Sequence, residues 1–112
     1  MQFSKLIGEN DMEIRQTKNG NQAKLTLSGR FDFNVHREFK EAYMALLEDG
    51  AVTLIEISLA EVDYLDSSAL GMLLMLRERA LTANKQVALS NPNKMVAQVL
   101  DIANFNKLFT IV

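Results

Sequence analysis

The chain has 112 residues, of which 48% are hydrophobic and 23% charged, a balance that suits one globular domain with a single core and leaves no length for a second. Its net charge of −2 provides no general attraction for nucleic acid or for an anionic membrane surface. With no cysteine, disulfides and thiolate metal sites are excluded, and with no apolar run of signal-peptide or bilayer length, a cytoplasmic protein without membrane insertion is the expectation.

Residues 1–11 read as an N-terminal leader, and residues 12–112 as one domain. A hairpin is expected first. Its strands run from Asp11 to Gln16 and from Ala23 to Leu27, joined through Lys18-Asn19-Gly20-Asn21, where Asn19-Gly20 tolerates positive φ. Ala23, Leu25 and Leu27 alternate with Lys24, Thr26 and Ser28, which predicts one buried and one wetter face. Val35, Phe39, Ala42, Tyr43, Leu46 and Leu47 then trace an amphipathic helix from Val35 to Leu47, with Gly50 placed to close it.

A β-branched, apolar strand is expected over Thr53 to Ser58, followed by a helix that reaches about Asn84. Gln86 to Ser90 reads as a strand, Lys94 to Ile102 as a helix capped near Asn91 or Asn93, and Leu108 to Val112 as a last strand. Pro92 falls in a loop, where its missing donor costs little. Strands and helices in this order predict an α/β fold: a small mixed sheet with helices packed mainly on one face and right-handed crossovers between parallel neighbours.

The most informative segment is Val62-Asp63-Tyr64-Leu65-Asp66-Ser67-Ser68-Ala69-Leu70-Gly71, where a buried strand hands over to a helix. Asp66 or Ser67 stands where an N-cap belongs, and the exposed end of a helix, with free N–H groups and the positive end of its dipole, tolerates an added anion. At about 100° per residue, Leu70, Leu73, Leu74, Ala80 and Leu81 are expected on the core side, and Ser68, Gly71, Met72, Met75 and Arg79 on the outer side. Such an outer face is unusually apolar and methionine-rich, which suits adaptable docking as well as ordinary burial under a loop.

Asp66-Ser67-Ser68-Ala69-Leu70-Gly71 resembles the Asp-Ser-Ser-Gly-Leu-Gly signature of STAS-domain proteins, the bacterial anti-sigma-factor antagonists that act by partner switching. Leu27-Ser28-Gly29-Arg30-Phe31-Asp32 is similar to the segment that follows the family's second strand, and the order of elements extends the likeness from Met12 to Val112. The resemblance implies that Ser67 is the phosphorylated serine. It also implies that Asp32, Asp66, Ser67, Ser68, Gly71, Met72 and Met75 meet a serine kinase or anti-sigma factor with a GHKL-type ATPase fold, and that a PP2C-type phosphatase resets the switch. Ala69 stands where the family has glycine, which would add a methyl beside the phosphosite. The likeness is not expected to include the terminal helix that many antagonists carry after the last strand.

Other readings compete with this one. Ser67 and Ser68 read from pattern alone as plain helix caps. Catalysis by Ser67 lacks a partner, since the single histidine, His36, lies on a different element and no Gly-x-Ser-x-Gly turn is present. Glu61, Asp63 and Asp66 form no ligand loop with the glycine it requires, and no phosphate-binding glycine motif occurs, so neither a metal nor a cofactor is expected. A non-catalytic scaffold subunit, as in lipid-transport or stressosome-like assemblies, and a small-molecule module are the remaining alternatives.

Overall fold

Alternation along the second strand sets the architecture: Ala23, Leu25 and Leu27 are fully buried, while Gln22, Lys24, Thr26 and Ser28 between them remain partly exposed. The computed structural model describes residues 12–112, so the expected leader lies outside the described residues. Strands β1 (Met12–Asn19) and β2 (Gln22–Phe31) form an antiparallel hairpin closed by the pair Asn19 and Gln22. Gly20 takes the positive φ of the turn, 66°, and Asn19 stays in the strand.

From β2 the chain climbs through a 3₁₀ turn (Phe33–Val35) and α1 (His36–Leu47) to β3 (Leu54–Leu65), then through α2 (Ser67–Thr82) to β4 (Gln86–Ser90). Helix α3 (Lys94–Ile102), a second 3₁₀ turn (Phe105–Lys107) and β5 (Thr110–Ile111) complete the order. The sheet runs β1-β2-β3-β4-β5, with β2 to β5 all parallel. Each crossover steps to the next neighbour in the same direction, and a right-handed connection then places successive helices on one side. This is the expected α/β class, a mixed five-stranded sheet with three α-helices. Phe31, Phe39, Ile55, Ile57, Leu73, Leu89 and Leu100 form its core where the helices meet the sheet.

Four expectations are corrected. Strand β3 continues past Ser58 to Leu65, because the pairing with β2 shifts register between Thr26 and Ser28 and again between Gly29 and Arg30. These irregularities break the two-residue period, so Ala60 and Glu61 are exposed in succession and the strand is masked in the sequence. Helix α1 ends without help from Gly50, whose φ is not positive; the Glu48 and Asp49 amides donate back into the last turn, and Asp49 Oδ1 accepts from the Ala51 amide. Helices α2 and α3 end instead at asparagines with positive φ, Asn84 and Asn104. Strand β5 is shorter than expected because Phe105–Lys107 turns tightly, stacking buried Phe105 on Phe109 with ring centroids 5.2 Å apart.

The fourth correction concerns the phase of α2. Its buried stripe is Ala69, Met72, Leu73, Leu76 and Ala80, whereas Leu81, expected in the core, is 58% exposed. Apolar side chains surround the first three turns, so hydrophobicity alone leaves the rotation open. The small Ala69 and Ala80 mark the side that approaches the sheet closely. One turn beyond the helix, Lys85 is buried and its ammonium donates to the carbonyls of Asp49 and Val52, tying the loop after α1 to the entry of β4.

Candidate functional site

The strand–helix junctions gather at the edge of the sheet where β2 and β3 end. Phe31 and Leu65 are the last paired residues, and Asp32 and Asp66 follow them directly. Asp66 has extended backbone (φ −123°, ψ −174°), and its Oδ1 accepts from the Ala69 amide at 3.1 Å and from the Ser68 hydroxyl at 2.6 Å. Burial pushes the Asp66 pKa up, but hydrogen bonds from the Ser68 hydroxyl and the Ala69 and Ser68 amides outweigh it and hold the group below its ordinary value.

The two hydroxyls are therefore unequal. Ser68 is half-buried and bonded to the cap, whereas Ser67, the first residue of α2, is exposed and its hydroxyl makes no hydrogen bond among the described residues. A phosphate on Ser67 would stand at the helix N-terminus, where negative charge is stabilised by about 0.3–1 kcal/mol.

Asp32 is buried, and its Oδ1 accepts from the Asn34 amide at 3.0 Å, which caps the 3₁₀ turn rather than α1. Its Oδ2 faces Arg30 Nε at 3.4 Å, and the Arg30 guanidinium lies over the Tyr64 ring, 4.0 Å from its centre. No hydrogen bond joins Asp32 to Ser67 among the described residues; the ladder sets the two junctions side by side. His36 opens α1 and stacks on Phe33, with centroids 5.5 Å apart.

A groove of about 300 Å³ runs between α1 and α2. Ser68, Gly71, Met72 and Met75 line its α2 side, and Phe33, His36, Lys40 and Tyr43 the other. Met72 is 7% exposed and so belongs to the floor rather than to the outer face on which the helical period placed it; Met75 is 47% exposed. A Cβ added to Gly71 would meet nothing within 4 Å. Ala69 is fully buried, so its methyl enters the core instead of crowding the surface around Ser67. Burial raises the Tyr43 pKa, against the opposing charge and hydrogen bond of neighbouring Arg79.

Phe33 and Lys40 carry no signal of a site in the sequence, and Tyr43 stands out there only as part of the apolar face of the first helix. The one feature that marks Phe33 is its place directly after a capping aspartate. Arg30 and Tyr64, on neighbouring strands, gave no sign of stacking, because the register that pairs them depends on the bulges. Among the described residues no group of three or more His, Asp and Glu side chains could hold a metal ion, and Glu61 instead pairs with Arg15 at 3.1 Å on the polar face of the sheet. No helix among the described residues is long and apolar enough to cross a membrane.

Fold and site together define a class: a small mixed-sheet domain that presents an exposed serine at the start of a helix beside an apolar groove. A family model described as "Mlab, STAS domain" matches residues 14–112. The chain belongs to the STAS-domain family. It is 43% identical over 94 residues to the STAS-domain containing protein PA14_20770 of Pseudomonas aeruginosa (strain UCBPP-PA14), a match covering 82% of this chain and 89% of that one.

Among solved structures it is similar to the anti-sigma factor antagonist SpoIIAA in its unphosphorylated form, with a TM-score of 0.74 and 18% identity over 91% of this chain and 88% of the other. The phosphorylated form of that Bacillus protein gives 0.69, at 17% identity and 91% coverage of both chains. The STAS domain of a SulP transporter from Vibrio cholerae shares the fold at a TM-score of 0.63 and 17% identity, covering 85% of this chain and 75% of that one.

Proposed function

We propose that this STAS domain is a phosphorylation-controlled anti-sigma-factor antagonist in a bacterial partner-switching pathway. Unphosphorylated, it binds a serine kinase or anti-sigma factor with a GHKL-type ATPase fold through Asp32, Asp66, Ser67, Ser68, Gly71, Met72 and Met75. The observation that carries this reading is the contrast between the two serines: Ser68 is committed to the cap of α2, and Ser67 is exposed with its hydroxyl available for transfer.

The kinase partner phosphorylates Ser67, which adds about 1.5 to 2 negative charges beside a contact that includes apolar groove residues. Repulsion and the cost of desolvating the phosphate release the partner. A PP2C-type phosphatase restores the hydroxyl. The fold survives each cycle because the charge is added at a helix N-terminus and outside the core.

A pull-down from the native host with wild type, Ser67→Ala and Ser67→Asp, joined to phosphosite mapping, tests this. A kinase-like protein recovered by wild type and Ser67→Ala but lost with Ser67→Asp, with phosphate on Ser67, is the expected result. Identical partners for all three variants and an unmodified Ser67 would move the protein to a second reading, a non-catalytic scaffold subunit. The fold shared with a transporter's STAS domain supports that alternative.

A further inference from the structure

The groove between α1 and α2 is opposite in sign to the chain that forms it. The protein has 14 acidic against 12 basic residues, yet no Asp or Glu lines this groove, while Lys40 and Arg79 do. Lys40 and Arg79 are exposed and neither forms a salt bridge among the described residues; Arg79 lies beside Tyr43, which supplies no charge at neutral pH. Between these cations the surface is apolar: Phe33 is 67% exposed and Met75 47%, over a floor that contains Met72.

We propose that this groove receives an acidic, apolar-faced segment of the partner protein, with its aliphatic side chains against Phe33, Met72 and Met75 and its carboxylates at Lys40 and Arg79. The inference rests on reading this surface as the partner-docking site and adds the chemistry of what docks there. Pairing across the interface steers encounter and fixes register, and the methionines adapt to the apolar side. It also accounts for release without rearrangement of the fold. Ser67 directly precedes the groove residue Ser68, so its phosphate carries the same sign as the incoming segment.

The test is selection of short random peptides displayed on phage against the full, unphosphorylated chain. The expected pool is rich in Asp and Glu interleaved with Leu, Met or Phe, and its affinity falls by about tenfold or more on Lys40→Glu/Arg79→Glu. Lys40→Arg/Arg79→Lys should retain it, and Met75→Gln, at an exposed position, should weaken it by removing an apolar contact without adding charge; thermal melts confirm that each variant is folded. A neutral or basic pool, or equal retention on the charge-reversed variant, overturns the proposal. Displacement of the peptides by phosphatidylglycerol vesicles and not by acidic peptides overturns it too. Failure is separable from that of the antagonist reading: neutral peptides with intact Ser67-dependent release refute only the groove chemistry, and acidic peptides with no effect of Ser67 refute only the switch.

Discussion

Asp32 and Asp66 occupy equivalent places in the fold: each follows one member of the last ladder pair, Phe31 and Leu65, and each turns a carboxylate oxygen onto an amide of the element that begins there. Their backbones match as well, with φ −137° and ψ −172° at Asp32 and φ −123° and ψ −174° at Asp66. Two parallel strands that end level thus deliver two caps side by side, and the surface they build includes the start of α2 with Ser67.

Asp66 sets the acid tolerance of that surface. Its pKa is lowered from 3.8 in the folded protein, so its contribution is complete above that value and is lost as pH falls through the folded pKa. Asp66→Ala should cost about 1 kcal/mol at neutral pH. Asp66→Asn keeps the acceptor and should flatten the decline in stability between about pH 5 and about pH 2. Urea denaturation across that range checks both; an unchanged slope for Asp66→Asn would remove Asp66 from the acid response.

Ser67 should separate function from stability. Ser67→Asp is expected to leave the unfolding free energy within about 1 kcal/mol of wild type, since the charge is placed at a helix N-terminus. It should nevertheless weaken binding of the proposed kinase partner by about tenfold or more. Calorimetric titration of purified partner and a thermal melt measure the two effects independently.

Gly71 is a mid-helix glycine whose surroundings leave room for a side chain. Gly71→Ala should therefore stabilise the isolated domain by about 0.5–1 kcal/mol, the helix-propensity difference. If the partner's backbone approaches there, the same methyl reduces affinity. A more stable variant that binds as well as wild type would take Gly71 out of the interface.

Met72 and Met75 lie three residues apart on α2, but one is buried and the other exposed. Met72→Ala should cost about 2–5 kcal/mol through the cavity it leaves, and Met75→Ala no more than about 0.5 kcal/mol. Equal costs in denaturant unfolding would contradict the phase of the helix.

Lys85→Met tests the buried ammonium that joins the loop after α1 to β4. Removing the donor leaves carbonyls of Asp49 and Val52 without it, a loss of about 1–3 kcal/mol. Hydrogen exchange should quicken first at Val52 and Gln86, while α3 is unaffected.

Much of this arrangement is legible in the chain because local rules agree with the fold. The alternation of Ala23, Leu25 and Leu27, the Asp-Ser junction and the span Lys94 to Ile102 each combine a period with a punctuating cap. What was hidden depends on contacts remote in sequence. The length of β3 follows from bulges against β2, and the rotation of α2 from which small residues reach the sheet. The groove requires Phe33 from the 3₁₀ turn and Lys40 and Tyr43 from α1 to meet α2, and no spacing within one segment encodes that meeting.

Asn93 makes a different demand on heredity from the two aspartates. Its Oδ1 accepts from the Val96 amide at 3.0 Å to cap α3, and its Nδ2 donates to the Val62 carbonyl at 2.7 Å, in the stretch of β3 that has run beyond β4. Aspartate would cap as well but would turn an acceptor towards a carbonyl. Drift between acid and amide is thus open at Asp66, where both bonds are accepted, and closed at Asn93. A spontaneous deamidation there would loosen the strand three residues before Leu65, making the age of the molecule a variable close to Ser67.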